Sequence, residues 1–480
     1  MGFRVPQRKT APLTGDRFNP GPPAPARASR GLTNPANAAK HNPMTRFLLA
    51  AMLGFALPAG VDAAGLLHPF KKVRATDQFW AEGAAIGDFN RDGRMDVVSG
   101  AYWYEGPDFQ RRHEIYPANA SFKRKDAAGG EQTIPGFEGA LGVNNAYSDC
   151  FLTFTYDFNG DGWTDVLVYG FPGKEVGWFE NPKGRPGHWQ RHVIFDVLDN
   201  ESPAFTDITG DGKPEILCCS RGYLGYAEAD WNNPAAPWKW HAVSPKSDYH
   251  RFSHGIGCGD INGDGRLDIL DKDAWWEQPA SPAHDPVWTR HAFSFAPAAA
   301  QMLVHDFNGD GLNDVLTCHD AHGYGISWFE QVRANGQITF REHVILPKDP
   351  SPNRYGVQFS QPHAFALVDM DRDGLMDFVT GKRFWAHGKD GPDPDSNSAA
   401  VLYWFQLTRP ARGQAEFIPH LIDNDSGVGT QVTAGYVSNP HYPDVVVGNK
   451  KGVFIFQHET RKVSNAKWKK AQPKPQTGSQ

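Results

Sequence analysis

Six stretches of the chain share one spacing of oxygen-bearing side chains, D-x-[DN]-x-D-G-x-x-[DE]. Positions 1, 3, 5 and 9 are Asp88, Asn90, Asp92 and Asp96 in the first loop, and Asp157, Asn159, Asp161 and Asp165 in the second. The third has Asp207, Asp211 and Glu215, with Thr209 at position 3 and Pro214 beside the glutamate. The fourth has Asp260, Asn262, Asp264 and Asp268, and the fifth Asp306, Asn308, Asp310 and Asp314. The sixth is Asp369, Asp371, Asp373 and Asp377. Such a loop, with a glycine at position 6 for the sharp turn and a carbonyl near position 7, can wrap a hard cation, and Ca2+ takes six to eight oxygens. The same Asp and Asn side chains can instead cap their own turns without metal. One copy would leave the two readings level; six copies carrying 19 carboxylates point to Ca2+ in several loops. The third loop is the weakest candidate.

A second set of residues flanks these loops. About six residues upstream stand Glu82, Glu201, His254 and His363, with Asp149 nearby. Just beyond the apolar run after each loop stand Arg221, Lys272, Asp273, His319, His322, Lys382, Arg383, Lys450 and Lys451. Carboxylate, imidazole and amine groups together can polarise a sugar hydroxyl or take a proton beside a carbonyl, which is the chemistry of a lyase or dehydratase. They can equally hold a carbohydrate by hydrogen bonds alone. The catalytic candidates are His254, His363, Glu82, Glu201 and Lys382. The ligand-binding candidates are Asp149, Arg221, Lys272, His319, His322, Arg383 and Lys450. A Zn2+ site built from His254, His363 and a carboxylate is a further option, although no spacing signature marks it. His254 and His363 interrupt a position that is otherwise Glu82, Glu201 or Phe151. By contrast His113, His192, His241, His291, His343 and His420 recur in an x-x-H-x-[IVF] element, so a structural role between strands is expected of them.

The elements that position these groups repeat with the loops. Each loop leads into a β-branched run, such as Asp96-Val97-Val98, and then an aromatic run ending in an acid or amide, such as Trp275-Trp276-Glu277. The histidine element follows. Four short strands per repeat, with no helical period, predict an all-β chain folded as a seven-bladed β-propeller of four-stranded blades. The seventh unit, Gln431 to Gly448, keeps Asp444 but has Asn439-Pro440-His441 in place of the acidic residues, and it lacks a histidine strand. Phe70-Lys71-Lys72-Val73 matches the missing strand, so the N-terminal strand is expected to close the ring and remove two sheet edges. Residues 65–458 then give about 56 residues per blade, with the excess in loops at 117–148, 346–360 and 384–398. In this geometry the flanking residues meet around the central opening, on the face opposite the acidic loops, where binding sites are commonly built.

The loops and their aromatic strands resemble the FG-GAP/VCBS repeat family, whose calcium loops sit in seven-bladed propellers such as that of integrin α chains. The resemblance covers 70–458. The literal Phe-Gly and Gly-Ala-Pro tag is absent, so integrin-like ligand recognition is not implied. A weaker similarity is to the propeller part of aldos-2-ulose dehydratases, without their cupin domains.

Charge and composition narrow the function classes. Residues 65–458 hold 34 basic and 51 acidic side chains, a net of −17. Phosphate neutralisation needs the opposite sign, so nucleic acid is disfavoured as a partner. Removing the 19 loop carboxylates leaves the rest nearly neutral. Residues 1–43, rich in Pro, Arg and Ala, read as a disordered or untranslated leader. Residues 44–64 read as a signal peptide: Met44-Thr45-Arg46, an apolar run from Phe47 to Leu57, and a small-residue cleavage site at Ala63 or Ala64. That run is too short to span a bilayer. A secreted or periplasmic location follows, with no transmembrane segment. Residues 459–480 read as a basic disordered tail, which could contact an anionic envelope polymer. The five cysteines are an odd number and indicate no disulfide framework. The reading is therefore a calcium-binding propeller that takes a carbohydrate or other polar ligand at the rim. A sugar dehydratase or polysaccharide lyase, or a protein-interaction module with a protein partner, are the alternatives.

Overall fold

Each acidic loop leads into a strand buried along its whole length: Asp96–Ser99, Asp165–Tyr169, Glu215–Ser220, Asp268–Asp271, Asp314–Cys318 and Asp377–Gly381. The seventh unit has its equivalent in Asp444–Asn449. These strands lie between two neighbours and under two covered faces, which explains their continuous Val, Ile and Leu runs. The last strand of a unit is half exposed, as in Arg112–Glu114 and Thr289–Ala292, and alternates accordingly. The computed structural model describes residues 64–118, 121–125, 128–135, 147–281, 286–388 and 390–476. All of these belong to one unit, Asp62–Gln480.

Among the described residues the chain is all-β apart from one helix of seven residues, Asn465–Ala471. The first unit forms a four-stranded sheet of Ala85–Gly87, Asp96–Ser99, Tyr102–Tyr104 and Arg112–Glu114 in sequence order. The second and third units share a seven-stranded sheet, because one 17-residue strand, Gln190–Thr206, ends the second and begins the third. The fourth and fifth units join into an eight-stranded sheet through a parallel pairing of Ile256 with Gln301. The sixth is again four-stranded, from Phe365–Val368 to Glu416–Asp423. In the last sheet, Val432–Gly435, Asp444–Asn449 and Gly452–His458 are completed by Phe70–Thr76, which pairs antiparallel with Gly452–His458. Within the long 117–148 loop, Ser121–Lys125 and Glu131–Pro135 form a separate two-stranded sheet.

The aromatic strands fill the core. Trp178, Tyr104, Phe378 and Phe405 are among the largest fully buried side chains. All five cysteines are free thiols, and Cys218 and Cys219 point into different core clusters, as alternation along a strand requires.

The basic tail departs from the sequence expectation of disorder beyond 459. Arg461–Ser464 pairs antiparallel with Ala64–Leu67, and the helix Asn465–Ala471 follows, with Ser464 as its N-cap. Trp468 supplies the physical reason. Its indole Nε1 donates to Leu66 O at 3.0 Å, and its ring lies so close to Gly65 that a Cβ there would meet it at 2.2 Å. The lysines face outward and hide this anchor in the sequence. The leader 1–43 lies outside the described residues, as does the signal segment 44–64 except for Ala64, which opens the first strand. No helix among the described residues is long and apolar enough to cross a membrane.

Candidate metal centre

Glu201, His254, His322 and His363, each from a different unit, bring ligand atoms within 4.8 Å of one another. Local backbone features aim them. Glu201 sits in an irregularity of its strand between Asp199 and Ala204, next to Asn200 at φ 87°. Such bulges re-aim a side chain out of the ladder. His254 and His363 precede the inner strands Ile256–Gly259 and Phe365–Val368, and His322 lies in the turn after Asp314–Cys318. The three imidazole rings face one another nearly at right angles. Their centroids are 5.1, 5.3 and 5.2 Å apart and their planes cross at 81°, 70° and 80°.

The donor set is made of lone pairs. His254 Nδ1 lies 2.9 Å from Phe252 O, so that nitrogen carries the hydrogen and Nε2 is left as an acceptor. This Nε2 faces His322 Nε2 at 3.2 Å and Glu201 Oε2 at 3.7 Å. His363 is fully buried and neither ring nitrogen has a hydrogen-bond partner, although Nε2 stands 3.3 Å from Glu201 Oε2. Burial holds His254 and His363 below the usual imidazole range, so both are neutral. Burial alone would raise the Glu201 carboxyl, but the approach of His363 and the charge of Arg383 outweigh it and hold it well below the carboxylate range. Neutral imidazoles and an ionised carboxylate are the protonation states that metal ligation requires.

Behind the four lies a buried charged layer. Arg383, fully buried, places Nη1 3.3 Å from Glu201 and Nη2 3.5 Å from Glu82, and its plane lies over Tyr147 and Phe151. Lys450 Nζ stands 3.6 Å from Glu82 and donates to Trp385 O at 2.7 Å. Burial lowers Lys450 to about 8 against the pull of Glu82. Lys382 donates to Ser360 Oγ at 2.6 Å, and burial lowers it to about 8 as well.

Not every rim candidate reaches this cluster. Arg221 is mostly exposed and pairs with Asp196. Lys272 pairs with Asp273 on the wall of a separate cavity of about 390 Å3, which His254 also lines. His319 lines another cavity, of about 500 Å3, with His322 and Asp393. Asp149 neighbours Tyr116 and Cys150. Asp393 and His387, absent from the sequence candidates, lie in the long 384–398 loop beside His322. The loop's length was the only signal pointing to them.

The acidic loops share one geometry. In the first, both Asp88 oxygens accept loop amides, from Asp92 at 3.2 Å and Gly93 at 3.0 Å, while Asn90 Oδ1 accepts Asp92 N and Asp92 Oδ1 accepts Arg94 N. Gly93 has φ 81° and Gly374 φ 91°, the left-handed turn that position 6 demands. The ninth residue does something else. Asp96 accepts Phe89 N and Gly106 N, Asp165 accepts Phe158 N and Asn181 N, and Asp377 accepts Met370 N and Leu407 N. It staples the loop to the end of the aromatic strand. Asp444 does the same with Val437 N and His458 N in the unit that has no acidic loop. Burial pushes Asp165, Glu215 and Asp314 up to about 7 and Asp377 to about 8. Three carboxylates converge within 4.8 Å in the loops of Asp207, Asp211 and Glu215 and of Asp369, Asp371 and Asp377. The loop ranked weakest by sequence is one of these two, because the longer Glu215 side chain reaches where an aspartate would stop short.

The strand histidines are structural in geometry. His291 Nε2 lies 2.8 Å from Glu277 and its ring stacks on Trp275 at 3.9 Å and 7°. His113 with Glu105 and Trp103, and His343 with Glu330 and Trp328, repeat the arrangement. Each histidine thus ties the last strand of its unit to the aromatic one.

No curated protein matches the chain significantly. Among solved structures, that of a rhamnogalacturonan lyase, YesW, is similar at 13% identity, covering 82% of this chain and 74% of that one with a TM-score of 0.35. Residues 157–218, 207–270 and 306–380 each match the FG-GAP-like repeat. Each match takes in at least one acidic loop with its buried strand, so the chain carries FG-GAP-like repeats.

Proposed function

We propose that the protein is a calcium-stabilised, seven-bladed propeller carrying a three-histidine, one-carboxylate metal centre, and that it binds a carbohydrate or other polar ligand there. The ring is supported by contacts between successive units: Thr155 donates to Ile86 O, Tyr169 to Ala204 O, and Phe365 N to Gln301 Oε1. Last meets first where Thr433 donates to Ala84 O at 2.6 Å. Counting each half of the seven- and eight-stranded sheets as one blade gives seven.

The observation that carries the metal reading is the meeting of acceptors. With Nδ1–H of His254 spent on Phe252 O, its Nε2 lone pair faces His322 Nε2 and Glu201 Oε2, and Arg383, 3.3 Å from that oxygen, contacts the carboxylate but neither imidazole. A buried group left in that state costs free energy, and a cation of the Zn2+ class, which favours imidazole and carboxylate ligands, removes the cost. Bound there, such an ion would polarise a carbonyl or hydroxyl oxygen as a Lewis acid. Arg383 holds positive charge behind Glu201 and so favours its carboxylate as an anion.

A second reading, a dehydratase or lyase on the same scaffold, is favoured by Lys382 and Lys450. Both are buried amines lowered to about 8, close to the range in which a side chain can take a proton from a carbon beside a carbonyl. The test is elemental analysis of the purified protein followed by calorimetric titration with neutral and uronate oligosaccharides, with ultraviolet absorbance followed in parallel. About one transition-metal equivalent and metal-dependent binding support the proposal, and growing absorbance from new unsaturation selects the enzymatic reading. A protein with no transition metal that also takes none up on titration overturns the centre.

A further inference from the structure

We propose that Asp393 is the positioning residue of this centre: it fixes the ring of His322 so that the Nε2 lone pair points at the ion, and His387 holds Asp393 in place from the other side. The inference rests on the metal reading above and deepens it. His322 presents its two nitrogens to different surroundings. Nε2 faces His254 Nε2 at 3.2 Å, inside the four-ligand cluster. Nδ1 is buried without a hydrogen-bond partner, 3.5 Å from Asp393 Oδ1. An imidazole ligates through one nitrogen only if the hydrogen sits on the other, and a carboxylate beside Nδ1 favours the hydrogen there. Metal-bound histidines are oriented by partners of this kind, and His254 has its own in Phe252 O.

Asp393 is itself held. Its two oxygens lie 2.9 and 3.0 Å from His387 Nδ1, and Oδ2 also accepts His387 N at 3.1 Å. The carboxylate side chain is almost wholly buried, whereas His387 is about a third exposed. Burial would raise the Asp393 carboxyl, but the neighbouring His322 and the bonds from His387 hold it well below the carboxylate range. The rings of His322 and His387 lie 4.7 Å apart and tilted by 34°, and the carboxylate lies beside both imidazoles. The order from the centre outward is therefore His322, Asp393, His387. The long 384–398 loop thereby acquires a task that its sequence, mostly Gly, Pro, Asp and Ser, does not announce.

The test uses the full chain in saturating Ca2+, so that the acidic loops do not compete, and titrates it with Co2+ followed by visible absorption. Zn2+ affinity is then read by competition with a chelator. Wild type should take up one Co2+ with a defined d–d spectrum. Asp393→Ala should bind about 10- to 100-fold more weakly and shift the spectrum. Asp393→Glu should recover most of the affinity, and His387→Ala should lose less than Asp393→Ala. If the alanine variant does not fold, Asp393→Asn serves, since it keeps the shape and removes the charge; a weakened affinity is expected there too. If these variants shift only the melting temperature and bind Co2+ with wild-type affinity and spectrum, Asp393 is merely a loop residue and the inference fails. If wild type itself takes up no Co2+ or Zn2+, the centre fails, and that result is distinct.

Discussion

Replacing Asp444 by alanine isolates the ninth-position staple from any calcium effect. In the seventh unit positions 1, 3 and 5 are Tyr436, Ser438 and Pro440, so no carboxylate accompanies Asp444. Its Oδ2 accepts Val437 N at 3.0 Å and Ser438 N at 2.5 Å, while Oδ1 accepts His458 N at 2.6 Å and Ser438 Oγ at 2.9 Å. Removing the carboxylate strands two buried or half-buried amides, at Val437 and His458, each costing about 1–3 kcal/mol. Ser438 is exposed and can turn to water, so its two bonds add only about 0.5 kcal/mol each. The expected loss is about 4 kcal/mol, read from calorimetric melts and urea unfolding. It should be the same in Ca2+ and in chelator. Asp377→Ala removes a comparable staple and also one of three converging carboxylates, so its loss should grow when Ca2+ is added. A cost below about 1 kcal/mol for Asp444→Ala, or one that disappears on chelation, refutes the reasoning.

Chelation of the wild type should lower its melting temperature and Ca2+ should restore it, since ions bound only by the folded state at a hundredfold excess over Kd add about 2.7 kcal/mol; an identical melt in chelator, with no metal found, counts against calcium. Deleting residues through Arg74 should destabilise severely, because it removes most of the strand paired with Gly452–His458, whereas deletion through Ala63 leaves both N-terminal strands intact; equal melts would mean that the last sheet is completed otherwise. His291→Ala should cost about 1 kcal/mol of stability through its lost stack on Trp275 and leave metal uptake unchanged. His254→Ala should do the reverse, abolishing transition-metal uptake with little change in the calcium-dependent melt.

The repeat made most of the fold legible. Loop, buried strand, aromatic strand and histidine strand recur at fixed offsets, and each side chain of that pattern answers a backbone need that every unit shares. The seventh unit was legible for the same reason, since Phe70–Val73 carries the missing pattern at the far end of the chain. The tail was not, because one tryptophan among lysines carries its anchor and no periodicity announces a single contact with Gly65. At the rim, His254 and His363 stood out as departures from the repeat and Glu201 and His322 as flanking candidates, while Asp393 and His387 sit in a loop where nothing recurs. Sequence could name all four residues of the cluster among its rim candidates, and not Asp393 or His387 beside it.

The ninth position carries the sharper lesson about the acidic loops. It reads as a cation ligand beside positions 1, 3 and 5, yet Asp444 keeps the same backbone staple in a loop that has no other acid. A ninth-position carboxylate is therefore required by the turn whether or not a cation binds, and its presence does not discriminate between the two. Positions 1, 3 and 5 do discriminate. Apart from the buried Asn308 their side chains are exposed or half-buried, and most satisfy local amides that Asn or Ser would satisfy equally well, as Asn90 and Asn262 already do at position 3. Negative charge at positions 1 and 5 in all six loops exceeds what the turn needs. In two loops the excess is partly met by protein cations, Lys183 on Asp161 and Arg266 on Asp264. Asp207, Asp211 and Glu215, and likewise Asp369, Asp371 and Asp377, pair with no such cation among the described residues and hold three carboxylates within 4.8 Å. Electrostatic repulsion within these two loops is the largest, so they are the first places where Ca2+ should bind and the last from which a chelator should remove it.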